Sequence, residues 1–72
     1  MMSKQLLRKR LGVALGRPVR PAEFSWFFEC FCEKNPQYKS LKNVRNLDAN
    51  AVEDFSRYAG YDLRFPIPLP LL

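Results

Sequence analysis

Apolar positions in the middle of the chain repeat with the pitch of a helix. Phe24, Phe27, Phe28 and Phe31 fall at i, i+3, i+4 and i+7, which places four rings on one stripe. Pro21 suits a first helical position, Glu23 complements the amino-terminal end of the dipole and Lys34 its carboxy-terminal end. Asn35-Pro36 stops this helix, because the residue before a proline avoids helical backbone. Upstream, Ser3 is a good cap, and Lys4 to Leu15 reads as a helix ending at Gly16. Leu7, Leu11, Ala14 and Leu15, with Leu6 beside them, make its inward stripe. Gly12 weakens the middle of that helix by roughly 1 kcal/mol relative to Ala, which predicts fraying or an early end.

Between Tyr38 and Leu47 the pattern changes to a repeat of three: each apolar residue up to Val44 is followed by a basic one and then by Ser or Asn. On an α-helix a period of three drifts by about 60° per step, so no face survives; a short 3₁₀ or irregular connection fits better. Asn50-Ala51-Val52-Glu53 imitates a capping box, with Asp48 as an alternative cap. Val52, Phe55, Ala59 and Tyr58 line one face of the helix that follows, and Gly60 ends it. After Arg64 the alternate prolines of Phe65-Pro66-Ile67-Pro68-Leu69-Pro70 forbid helix and central strand and favour an extended polyproline arm. The expected architecture is a small all-α domain, residues 1–64, of about three short helices, with an apolar proline-rich tail at 65–72.

Composition narrows the chemistry. The 72 residues hold 12 Lys and Arg against seven Asp and Glu, with two Cys and no His. Without His there is no imidazole base, no Ser-His or Cys-His nucleophile pair and no His-ligated metal. Two Cys alone cannot complete a structural zinc site, and the carboxylates of Asp48, Glu53 and Asp54 suit helix capping better than catalysis. The expectation is a non-enzyme with no cofactor and no metal. On a helix Cys30 and Cys32 point about 200° apart, so they do not bridge each other; free thiols fit a reducing cytoplasm. No run approaches the roughly 20 apolar residues of a membrane span. A cytoplasmic monomer is expected.

The net charge of +5 is distributed in blocks. Residues 1–22 carry Lys4, Arg8, Lys9, Arg10, Arg17 and Arg20 and no acid; Glu23, Glu29 and Glu33 follow; then come Lys34, Lys39, Lys42 and Arg45. Lys4 and Arg8, joined by Arg10 or Gln5, are expected on an outward helix face. Lys4, Arg8, Lys9, Arg10, Arg17, Arg20, Lys39, Lys42 and Arg45 are the candidate electrostatic contacts to phosphates or an acidic protein surface. A helix-turn-helix reading fails on charge, since three carboxylates on the second helix would face phosphate. Trp26 projects at least about 100° from the phenylalanine stripe and is a candidate interface anchor. Phe65, Ile67 and Leu69 in the tail are candidate apolar contacts, with docking on the chain's own domain or in a partner's groove both open.

The whole chain, from MMSKQLLRKRLGVALGRPVRP through AEFSWFFECFCEKN to RFPIPLPLL, resembles the small RNA polymerase-binding transcription regulators of lytic phages such as those of Xanthomonas. The likeness is one of size and character and carries no diagnostic motif. It implies a protein that binds host RNA polymerase near the amino-terminal region of β′ and the β flap. Such a protein blocks initiation by interfering with σ and suppresses termination near the RNA exit channel. The alternative reading of the same cations is a small basic protein that binds DNA or RNA without sequence preference.

Overall fold

Three α-helices enclose one aromatic core in the computed structural model, which describes residues 1–65. They are α1 (Lys4–Leu15), α2 (Pro21–Lys34) and α3 (Ala49–Ala59), with a 3₁₀ helix, Pro36–Asn43, between α2 and α3. The mostly helical class and the 3₁₀ connection agree with the sequence pattern. A two-stranded antiparallel ribbon was not legible in it: β1 (Met2–Ser3) pairs with β2 (Asn46–Leu47), Met2 opposite Leu47. Strands of two residues carry no alternation to read. Of the proline-rich arm, everything after Phe65, including Ile67 and Leu69, lies outside the described residues.

Capping chemistry sets the helix ends. The Ser3 hydroxyl accepts the Leu6 N–H at 3.1 Å, satisfying one of the orphan donors of the first turn. At the other end Gly16 takes φ 74°, the Gly16 N–H reaches the Val13 carbonyl at 3.2 Å and the Arg17 N–H reaches the Gly12 carbonyl at 3.1 Å. This paired closure is a Schellman motif. Gly60 (φ 82°) repeats it on α3, with Tyr61 bonded back to Ser56 at 3.2 Å. The cap of α3 is Asp48, whose carboxylate accepts the Ala51 N–H at 2.8 Å. The alternative cap therefore wins over Asn50, which lies inside the helix, and Glu53 pairs with Arg57 at 2.7 Å instead of reaching back.

Two expectations for α1 are corrected. The helix runs unbroken through Gly12 to Leu15. Gly12 is buried, and an added Cβ would lie 2.9 Å from the Arg17 carbonyl oxygen. The connector folds back against this spot, so what tertiary packing needs here outweighs the weak helix propensity. Leu6 and Leu15, placed on the inward stripe, are 40% and 38% exposed; Leu7 and Leu11 carry the inward face.

Phe55 is the hub of the core. Its ring centroid lies 5.7, 5.6, 5.5 and 5.3 Å from those of Phe24, Phe27, Phe28 and Phe31. Edge and tilted pairs of this kind add about 0.5–1.5 kcal/mol each beyond the area they bury. Val19 and Leu63 close the core from the connecting segments and Leu47 from β2, and Cys32 is packed within it. Cys30 and Cys32 are free thiols, and burial raises the pKa of Cys32. Tyr38 stacks on Phe31 at 5.5 Å and donates its hydroxyl proton to the Asp54 carboxylate at 2.5 Å, tying the 3₁₀ helix to α3.

Candidate partner-binding surface

The nine candidate cations do different work. Lys4, Arg8 and Arg10 turn toward the chain instead of forming an outward face. The Lys4 ammonium donates to the carbonyls of Leu41 (2.6 Å) and Lys42 (3.0 Å) and sits 4.5 Å from the centroid of the Phe28 ring. Burial lowers its pKa. Arg8 donates to the Val19 carbonyl at 2.6 Å, and Arg10 to the carbonyls of Leu63 (3.3 Å) and Arg64 (2.7 Å). Three cations of α1 thus hold down three segments: the end of the 3₁₀ helix, the α1–α2 connector and the stretch after α3. Carbonyls at the ends of helices and in connecting segments have acceptor capacity to spare, and charged donors satisfy it strongly. A one-dimensional reading sees the charge of these residues but not the carbonyls that fold against them.

Arg17 forms a bidentate pair with Glu23, at 3.0 and 2.6 Å, at the start of α2. The pair's hydrogen bonds raise the pKa of the guanidinium and lower that of the carboxylate. This is the one ion pair among the described residues that joins the first basic block to the acidic block; the others, Arg57 with Glu53 and Asp54, and Arg64 with Asp62, are local. Lys9, Arg20, Lys39 and Arg45 are exposed and Lys42 is half-buried. Among the described residues none of these five side chains has a hydrogen-bond or ion-pair partner.

Trp26, on the outward side of α2, is 66% exposed. It borders a groove of about 190 Å³ lined also by Leu15, Phe27, Ala59 and Tyr61, with Arg17 and Glu23 at its rim. Leu15 and Tyr61 are the residues here that the sequence pattern missed. Leu15 sits in the last turn of α1, where the chain has begun to leave the core, and Tyr61 follows the Gly60 turn; only the packing of the ends of α1 and α3 against α2 brings them beside Trp26. Phe65 is 65% exposed, with the Arg64 guanidinium 5.5 Å from its ring centroid.

No protein-family model matches the chain, and neither a curated protein nor a solved structure does. The surface has to be read from its own chemistry. An aromatic anchor two-thirds in water, an apolar groove beside it and an arginine–carboxylate rim have the make-up of a protein–protein contact. The chain's second basic group, Lys39, Lys42 and Arg45, lies on and just beyond the 3₁₀ helix, and none of the three lines the Trp26 groove. Among the described residues no three His, Cys, Asp or Glu side chains are placed to hold a metal ion, and no helix is long and apolar enough to cross a membrane.

Proposed function

We propose that this chain is a phage-type transcription regulator that docks on bacterial RNA polymerase. It would hinder promoter initiation by interfering with σ and suppress termination. The amino-terminal region of β′ and the β flap, the contacts its resemblance implies, are the expected seats, and the host cytoplasm is its place of action. The observation that carries the adapter part of this reading is Trp26. A tryptophan 66% exposed beside Leu15 and Tyr61 is a costly surface feature for a monomer of this size, and partner burial would relieve it. Lys9 and Arg20, exposed on neighbouring segments, supply rim charge that speeds encounter with an acidic surface.

Size-exclusion chromatography with purified core polymerase tests the reading. The wild-type chain co-elutes at low salt and Trp26→Ala does not, while the variant keeps its helical circular dichroism. Failure of the wild-type chain to co-elute removes the proposal. A second reading, a small basic DNA- or RNA-binding protein, is favoured by the unpartnered Lys39, Lys42 and Arg45. It predicts binding to nucleic acid alone that weakens steeply with salt and ignores Trp26→Ala.

A further inference from the structure

The repeat of three between Tyr38 and Asn46 acquires a meaning once the backbone is known to be 3₁₀. With 3.0 residues per turn, positions i and i+3 eclipse, so a period that loses its face on an α-helix keeps one here. The first row, Tyr38 and Leu41, packs against the core, and Val44 follows it at the helix end. That contact fixes the rotation of the helix about its axis. The second row, one third of a turn on, is Lys39 and Lys42, prolonged in sequence by Arg45; the third is Ser40 and Asn43, prolonged by Asn46. Ser40 and Asn43 are exposed, as are Lys39 and Arg45. Each turn therefore offers one cation and one small hydrogen-bonding side chain.

The row is held in place before any ligand arrives. Lys4 caps the carboxy-terminal end of the 3₁₀ helix through the Leu41 and Lys42 carbonyls, its backbone N–H binds the Arg45 carbonyl at 2.9 Å, and Tyr38 is anchored to Asp54. Residues 34–47 contain no acid. Two carboxylates border the row: Glu29, which shares a shallow depression with Lys42, and Asp54, which is engaged by the Tyr38 hydroxyl.

We infer that this ladder is a binding site for the phosphate backbone of single-stranded RNA. Lys39 and Lys42, one 3₁₀ turn apart on the helix, are separated by a rise of about 6 Å, which suits neighbouring phosphates of an extended strand; Arg45 follows beyond the helix end, where Val44 is extended. The Ser40–Asn43 row adds acceptors for ribose 2′-hydroxyls, the group that separates RNA from DNA. The one aromatic ring of the segment, Tyr38, is committed to Phe31 and Asp54, so bases find no stacking platform and sequence preference is absent. The inference deepens the nucleic-acid reading by naming its site and ligand, and it requires neither polymerase nor the Trp26 groove.

Fluorescence anisotropy of a labelled oligo-uridine 12-mer with the full chain, titrated across salt, is the test. Three phosphate contacts predict a slope of log K against log salt of about −2 for a single strand. The triple variant Lys39→Gln/Lys42→Gln/Arg45→Gln loses at least about tenfold in affinity at low salt and most of that slope; Lys39→Gln alone removes about 0.7 of it. Lys9→Gln/Arg20→Gln leaves the slope unchanged. Oligo-thymidine of the same length binds several-fold more weakly, and oligo-glutamate does not bind. No RNA binding by the wild-type chain at low salt, or a slope untouched in a folded triple variant, overturns the site. Oligo-thymidine binding as tightly as RNA overturns the ligand, and so does binding of oligo-glutamate. Because the measurement contains no polymerase, a failed co-elution and a failed RNA titration are separate results.

Discussion

Replacing Gly12 by Ala sets two magnitudes against each other. Helix propensity favours Ala over Gly inside a helix by about 1 kcal/mol, and Gly12 lies three residues before the end of α1. In an exposed helix the substitution would stabilise. Here the new Cβ meets the Arg17 carbonyl oxygen at 2.9 Å, the Val19 nitrogen at 3.5 Å and the Pro18 Cα at 3.7 Å. All three are backbone atoms of a connector pinned by the Gly12–Arg17 hydrogen bond and by Arg8 on the Val19 carbonyl. They have no rotamer by which to move aside. Overpacking of this kind costs about 1–3 kcal/mol, and opening the connector would also stretch the Arg8 bond. The net expectation is a loss of about 1 kcal/mol or more, a fall of roughly 4–8 °C in Tm for a domain this small. Thermal and urea unfolding followed by circular dichroism at 222 nm measure it. Gly16→Ala is the control with the opposite cause: nothing lies within 4 Å of its added Cβ, but φ is 74°, so strain alone destabilises it, by about 1–2 kcal/mol. A Gly12→Ala protein as stable as wild type, or more so, would refute the claim that close approach of the connector, and not chance, selects glycine there.

Phe55→Ala empties the hub of the aromatic core and costs about 3–5 kcal/mol, comparable to the whole stability of a chain this size; cooperative unfolding with a loss below about 1 kcal/mol would contradict the assignment of Phe55 as hub. The Asp54 bond pushes the Tyr38 pKa up to about 12 from an ordinary value near 10. Between these values the folded state holds a proton that the unfolded state has released, so the contribution is complete below about pH 10 and is lost as pH rises towards 12. Urea midpoints of wild type and Tyr38→Phe should therefore converge across that interval, whereas a constant gap would contradict the bond. Comparing the two cancels Lys4, whose lowered pKa acts with the opposite sign at alkaline pH. Arg10→Met removes the donor to the Leu63 and Arg64 carbonyls; hydrogen exchange at residues 61–65 should speed up several-fold while the α2 core stays protected, and unchanged exchange there would rule out the latch.

Local rules carried far along this chain. Ser3, Gly16, Pro21, Asn35-Pro36 and Gly60 bound the helices because capping and proline sterics act over a few residues. The phenylalanine stripe of α2 names most of the core because a 3.6-residue period is a local fact. Even the 3₁₀ helix is foreshadowed by its period of three. The reading slips where two local signals compete, as at Asp48 and Asn50, which offer equivalent side-chain acceptors two residues apart. It slips again at Leu15, which obeys the stripe but lies where α1 has run past the core.

What the sequence by itself determined is which segments are helical, which rings are apolar enough to meet and how much positive charge the chain must place. Only the tertiary structure decided where that charge goes. Lys4, Arg8 and Arg10 look like surface cations in one dimension, yet each ends on backbone carbonyls of a segment 11 to 54 residues away in sequence. A carbonyl is present at every residue and so leaves no mark in a sequence; whether it lacks a partner depends on how the connecting segments cross the helices. The same packing that takes these three cations inward leaves Trp26 in water and Lys39, Lys42 and Arg45 without partners. That division separates the residues that hold this fold together from those free to meet something else.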